Sequence, residues 1–172
     1  LQHFFEGSAK GFYVEDIGLV KGRVYGIVGT NGCGKSTFLR SLLGIEKSMK
    51  DDIEFKGVKM PKRKRLAHSA LVMQDVNHQL FSDTVAGEVV LGQKAIDEEK
   101  REQILDRLNL LDKKERHPMS LSGGEKQRVA IASVLLSDRE IIGFDEPTSG
   151  MDYENMVSIS GLTRSLAKDE RI

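Results

Sequence analysis

The stretch "GTNGCGKS", Gly29 to Ser36, decides the fold. It fits G-x-x-x-x-G-K-[ST], a loop whose glycines let backbone N–H groups turn inward around phosphate oxygens. Lys35 adds a point charge suited to β- and γ-phosphate oxygens, and the Ser36 hydroxyl suits a Mg²⁺ ligand. Before the loop, "RVYGIVG", Arg23 to Gly29, reads as a buried strand. After it, "STFLRSLLG", Ser36 to Gly44, reads as a helix stopped by glycine. Such a helix aims its positive end at the loop, where an anion gains most. The unit is strand, phosphate loop, helix.

Outward from this unit the pattern stays α/β. "DIEFKG", Asp52 to Gly57, alternates like a half-exposed strand followed by a turn, and "SALVMQD" reads as a second core strand. From Asp97 to Leu111, Ile104, Leu105, Leu108 and Leu111 recur at the spacing of an amphipathic helix. Glu125 to Ser137 is a helix apolar on most sides, hence a buried one, and "EIIGFDEP" is a further core strand closed by Pro147. An α/β core interrupted by helices follows. The core takes residues 1–75 and 138–172, and the helical part takes about 76–137. The basic run "KMPKRKR", Lys59 to Arg65, reads as a solvated loop rather than a patch for nucleic acid or anionic lipid.

Acidic and basic residues balance at 26 each, so no global field favours nucleic acid or an acidic partner. The single cysteine, Cys33, excludes a disulfide framework and fits a reducing compartment. No stretch approaches the ~20 apolar residues of a membrane span. The chain starts on Leu1 and stops on Ile172 in mid-phrase, which reads as a piece of a longer protein.

Three further features carry chemistry. Asp145 and Glu146 end the "EIIGFDEP" strand, where an Asp can hold Mg²⁺ through water and a Glu can deprotonate an attacking water. Their side chains alternate across the strand, as two separate roles require. Gln74 ends the "SALVMQD" strand, where a neutral amide can touch Mg²⁺ or the lytic water. "LSGGEKQR", Leu121 to Arg128, opens the second apolar helix. Ser122 and Glu125 make a capping box there, and Gly123 and Gly124 leave a helix start that can also meet an anion.

In this order, "GTNGCGKST", Gln74, "LSGGEKQR" and "IIGFDEPTSGMD" resemble the nucleotide-binding domain of ABC ATPases over nearly the whole chain. The resemblance implies a P-loop NTPase core with a mixed, mainly parallel sheet and a helical subdomain. It implies that Gly29, Thr30, Asn31, Gly32, Cys33, Gly34, Lys35, Ser36 and Thr37 form the Walker A loop that binds ATP. Gln74 matches the Q-loop glutamine, in contact with Mg²⁺ and the reaction. Asp145 is similar to the Walker B aspartate on Mg²⁺, Glu146 to the catalytic glutamate, and Asp152 to the D-loop aspartate. Ser122, Gly123 and Gly124 match the signature loop, which in the family faces the ATP of a second subunit packed head to tail. Phe5, with Phe4 beside it, is the candidate for stacking on adenine.

"VMQDVNHQLFSDTVAGEVVLG", Val72 to Gly92, is similar to energy-coupling factor and cobalt-type importer ATPases. Those act on the cytoplasmic face of the membrane, as homo- or heterodimers bound to a transmembrane coupling subunit. The rival classes are a soluble ABC ATPase acting on nucleic acid or ribosomes, and a non-catalytic nucleotide-binding subunit. The short interval from Gln74 to Leu121 holds no long heptads and counts against the coiled-coil type of soluble member. Glu125 stands where the signature most often has Gln, and Gly143 interrupts an otherwise apolar strand, which suggests close packing. The family's switch histidine has no counterpart in His3, His68, His78 or His117. Its strand would follow Ile172, so little hydrolysis is expected from this chain by itself.

Overall fold

The computed structural model describes residues 2–4, 11–14, 17–46, 53–93, 95–149 and 153–168. Phe5 and Asp152 lie outside the described residues. Two short antiparallel pairs form first. β1 (Gln2–Phe4) pairs with β2 (Gly11–Tyr13), and β3 (Glu54–Phe55) with β4 (Val58–Lys59) around the turn Lys56–Gly57. The third pair matters most. β5 (Ser69–Val72) and β6 (Ile141–Phe144) run parallel, with Ser69 opposite Ile141 and Val72 opposite Phe144. Their carboxyl ends therefore finish side by side, and Gln74, Asp145 and Glu146 follow directly.

Every described regular element between β5 and β6 is helical: α3 (Val85–Val89), α4 (Glu98–Arg107), α5 (Gly123–Leu136) and three single 3₁₀ turns. α5 is the centre of the core. Val129, Ile131, Ala132 and Val134 to Leu136 are buried, and they meet Val72 of β5, Val85 and Val89 of α3, Leu105 of α4 and Ile159 of α6 (Tyr153–Lys168). An α5 that is apolar on most sides is what such a position requires. It packs on both the strand pair and the other helices, so it joins the two parts of the chain.

Two expectations from the sequence are corrected. "RVYGIVG" forms no strand: residues 23–30 have no ladder partner among the described residues, and Val28 is 95% exposed. A strand needs a neighbour about 4.8 Å away to pair its backbone groups. Here an apolar cavity of about 540 Å³ lies between Val24, Tyr25 and Ile27 on one side and Ile141, Ile142 and Phe144 on the other. The basic run is only in part a solvated loop, for Lys59, Arg63 and Lys64 are exposed but its second half is helical. Lys62–His68 forms α2, and Arg65 is only 1% exposed.

Arg65 shows why that run folds. α1 (Lys35–Leu42) ends in a Schellman motif, with Ile45 N–H donating to Arg40 C=O at 2.8 Å and Gly44 N–H to Ser41 C=O at 3.0 Å. Gly44 takes φ +83° to make that turn, and a Cβ there would lie 2.6 Å from the Lys62 carbonyl oxygen. α2 therefore sits directly on the end of α1. Its Arg65 guanidinium donates to Met60 C=O (2.8 Å) and to Ser41 C=O (3.2 Å), where the negative end of the helix favours a cation. The guess of close packing at Gly143 also has a geometric basis. A Cβ on Gly143 would meet Leu43 Cδ1 at 2.7 Å and Leu39 Cδ1 at 3.0 Å, so α1 lies against β6 at that residue.

Candidate nucleotide site

The phosphate loop leads into α1 through two residues of left-handed backbone, Gly32 (φ +75°) and Gly34 (φ +98°). Gly34 is the helix N-cap and has no side chain to satisfy the first N–H groups of α1. Those donors are left to an anion. Gly29 is fixed by Cys33: a Cβ at Gly29 would stand 2.7 Å from the Cys33 sulfur. Lys35 Nζ donates to the carbonyls of Gly29 (3.0 Å) and Thr30 (2.9 Å), so its charge is held at the mouth of the loop. The loop and Glu146 enclose a cavity of about 290 Å³, lined by Asn31, Gly32, Gly34, Lys35, Ser36, Thr37 and Glu146.

At the floor, Ser36 Oγ donates to Asp145 Oδ1 at 2.7 Å, and Arg40 comes within 3.7 Å of Asp145 Oδ2. Asp145 is buried, while Glu146 is exposed with φ +49°. A glutamate in the left-handed region costs on the order of 1 kcal/mol, and such residues cluster at active sites. The strain has a visible result: the two adjacent carboxylates diverge, Asp145 to Ser36 and Glu146 to the cavity. Gln74 Nε2 donates to Glu146 Oε2 at 3.0 Å. The bond this structure gives Gln74 is to Glu146, and the Ser36–Asp145 pair is a separate contact.

The second glycine loop lies elsewhere. Ser122, Gly123 and Gly124 take no part in lining the phosphate cavity. The capping box is complete. Ser122 N–H and Oγ both donate to Glu125 Oε2 at 2.8 Å, and Glu125 N–H donates back to Ser122 Oγ at 3.4 Å. Lys113, which the sequence did not single out, bridges Glu125 Oε1 at 3.0 Å. Glu125 is held down to about 2 from the ordinary 4.5, first by the Ser122 backbone N–H, then by the Ser122 hydroxyl and Lys113. A depressed carboxyl contributes stability above its unfolded value that is lost as pH falls through the folded one. Stability is therefore expected to fall between about pH 4.5 and pH 2, and Glu125→Gln to flatten part of that fall in acid titrations followed by circular dichroism. An unchanged acid limb in the variant would remove Glu125 from the account.

A left-handed glycine loop that opens a helix, with a buried aspartate beneath it at the end of a parallel strand, defines a P-loop NTPase fold. The chain belongs to the ABC transporter family, whose profile matches residues 16–149. It is 42% identical over 150 residues to a Treponema denticola protein provisionally named as an ABC transporter ATP-binding protein, covering 87% of this chain and 31% of that one. It is 39% identical over 162 residues to the energy-coupling factor transporter ATP-binding protein EcfA1 of Mesomycoplasma hyopneumoniae, covering 87% of this chain and 58% of that one. Among solved structures it is similar to cbiO1 from Clostridium perfringens, part of the ABC transporter complex cbiONQ, with TM-score 0.83 and 28% identity. That match covers 99% of this chain and 72% of the other. The chain thus spans about a third to three fifths of the length of these two curated relatives.

Proposed function

We propose that this chain is the ATP-binding and hydrolysing part of an ABC importer of the energy-coupling factor type. The observation that carries the reading is the Ser36–Asp145 hydrogen bond beneath the phosphate loop, with Glu146 and Gln74 joined beside it. The residues fit ATP with Mg²⁺. Ser36 and Asp145 offer one hydroxyl and one carboxylate, and no cluster of three or more His, Cys, Asp or Glu is found among the described residues. Mg²⁺ typically takes only one or two protein oxygens and keeps water and phosphate for the rest. Mg²⁺, when bound, supplies charge neutralisation on the phosphate oxygens.

The side chains divide the work. Backbone N–H groups from Gly29 to Thr37 and the Lys35 ammonium hold the phosphates. Ser36 and Asp145 hold the metal. Glu146 accepts the proton of the attacking water, and Gln74 holds its carboxylate in place. The 290 Å³ cavity lacks Ser122, Gly123 and Gly124, so one chain by itself leaves the two glycine loops apart. A head-to-tail pair, of two copies or of this chain and a paralogue, brings the second loop over the first. Residues 76–137 act as a helical subdomain that carries this loop.

No helix among the described residues is long and apolar enough to cross a membrane. Attachment to the cytoplasmic face is through a transmembrane coupling subunit, with the stretch from Val72 to Val90 as the contact. Phe81, 75% exposed on that stretch, is an aromatic of the kind interfaces bury.

Cys33 gives a direct test of binding, because it is the sole cysteine and is exposed in the loop. At ATP far above its Kd, with Mg²⁺, maleimide labelling of Cys33 is expected to slow about tenfold or more. A labelling rate indifferent to ATP would sink the site.

A further inference from the structure

Gln79 lies between Gln74 and α3, and its amide does something unusual. Oε1 accepts from Met73 N–H at 2.7 Å, and Nε2 donates to Leu71 C=O at 2.7 Å. On the opposite edge of the same strand, Val72 C=O accepts from Asp145 N–H at 2.9 Å. In an extended strand the C=O of one residue and the N–H two residues on face the same edge. The Gln79 amide thus takes the place that a peptide group of a neighbouring strand would occupy. It completes the ladder on the outer edge of β5, one residue before Gln74.

The far side of this segment is pinned as well. Glu88 of α3, 4% exposed, accepts from Phe81 N–H at 2.7 Å and Ser82 N–H at 2.6 Å through one oxygen. Residues 79–82 are therefore tied to β5 at one end and to α3 at the other. The Gln79 tie closes the turn from Met73 to Gln79, and Gln74 lies inside that closed turn.

We infer that Gln79 is a positioning residue, which fixes Met73 in extended backbone and so aims Gln74 at Glu146. The inference rests on the proposed role of Glu146 as the base. The chemistry selects glutamine. One planar group must offer a donor and an acceptor side by side. Asparagine is a methylene shorter. An ionised glutamate offers two acceptors and repels the Leu71 carbonyl, but a protonated glutamate again offers one donor and one acceptor.

That last point supplies the test. Gln79→Leu and Gln79→Glu are made in the intact ATPase. Each loss of a partner leaves half-buried backbone groups of Leu71 and Met73 without the Gln79 amide, so kcat is expected to drop about tenfold near pH 8, with KM for ATP within about twofold. Gln79→Glu is expected to recover toward wild type as pH falls to about 5.5, and Gln79→Leu is not. The profile is taken as a ratio to wild type, because other charged groups stand nearby. These are Asp75 and His78 on the same turn, Lys126 of α5 bonded to Asn77, Glu88 of α3, and Glu146 after β6.

Amide hydrogen exchange at Met73 gives a readout that needs no ATP. It is expected to speed up at least about tenfold in Gln79→Leu. Unchanged Met73 exchange, or matching pH profiles for the two variants, overturns the inference. A wild type that hydrolyses no ATP overturns the ATPase reading instead, and Met73 exchange then decides whether Gln79 pins the strand.

Discussion

Replacing Glu146 with Gln is expected to lower ATP turnover by about 10²–10⁴-fold while leaving ATP binding nearly intact. The substitution keeps size and shape, and the new amide oxygen can still accept from Gln74 Nε2, which lies 3.0 Å from Glu146 Oε2. What disappears is the ability to take a proton. The site keeps the two oxygens proposed for Mg²⁺, Ser36 Oγ and Asp145 Oδ1, bonded at 2.7 Å. It also keeps Lys35 at the loop mouth. Bound ATP is then held without being cleaved, and the intact protein is expected to accumulate as an ATP-bound dimer. Turnover by phosphate release and mass by sedimentation check the two halves separately. Turnover within tenfold of wild type would show that another group takes the proton. Monomers under saturating ATP would leave the catalytic role standing and remove the head-to-tail pair.

Gly44→Ala is expected to destabilise the fold by about 2–4 kcal/mol, with no effect routed through the chemistry. Two costs combine. Left-handed backbone at φ +83° costs a non-glycine residue about 1–2 kcal/mol. The methyl group would also stand 2.6 Å from the Lys62 carbonyl oxygen and 3.2 Å from Arg65 Cβ, and both belong to the helix that seals the end of α1. Pushing α2 away strains the bonds from Arg65 to Ser41 and Met60. Gly57→Ala separates the terms. Gly57 has φ +75° but open space around its missing Cβ, so its loss is expected to be near the backbone cost alone. Denaturant unfolding of both variants measures the difference. Equal losses would show that α2 yields freely and that its seat on α1 contributes little.

Much of the site was legible because its chemistry is local. A phosphate loop needs glycines where backbone turns left-handed, a lysine, and a hydroxyl at the start of a helix, and all lie within "GTNGCGKS". The capping box of Ser122 and Glu125 was readable for the same reason: its partners are three residues apart. Lys113 on Glu125 was not, since nothing in its own neighbourhood marks it. Gln79 stood in the quoted stretch from Val72 to Gly92, yet its proposed role depends on which edge of β5 is open.

The basic run departs from its reading at Arg65, while Lys59, Arg63 and Lys64 are exposed as charge predicts. Charge alone predicts solvent, and Lys62 to Arg65 carry nothing else. Arg65 is buried because the Ser41 carbonyl near the end of α1, more than twenty residues upstream, offers it an acceptor at a negative helix end. "RVYGIVG" failed for the opposite reason. Its apolar character is real, but hydrophobicity does not supply the neighbour that a ladder needs.

The sequence by itself determined the glycine loop proposed to meet phosphate, the carboxylates that end a strand, the helix start that carries a second glycine loop, and the family. Each depends on residues adjacent along the chain or one helical turn apart. Only the tertiary structure decided that Gln74 bonds Glu146, that Asp145 turns to Ser36 while Glu146 turns away, and that Ser122, Gly123 and Gly124 do not line the phosphate cavity. Those facts rest on the parallel register of β5 and β6, which sets two distant strand ends side by side. Register is fixed by burial and packing across the whole core, and no short stretch of sequence contains it.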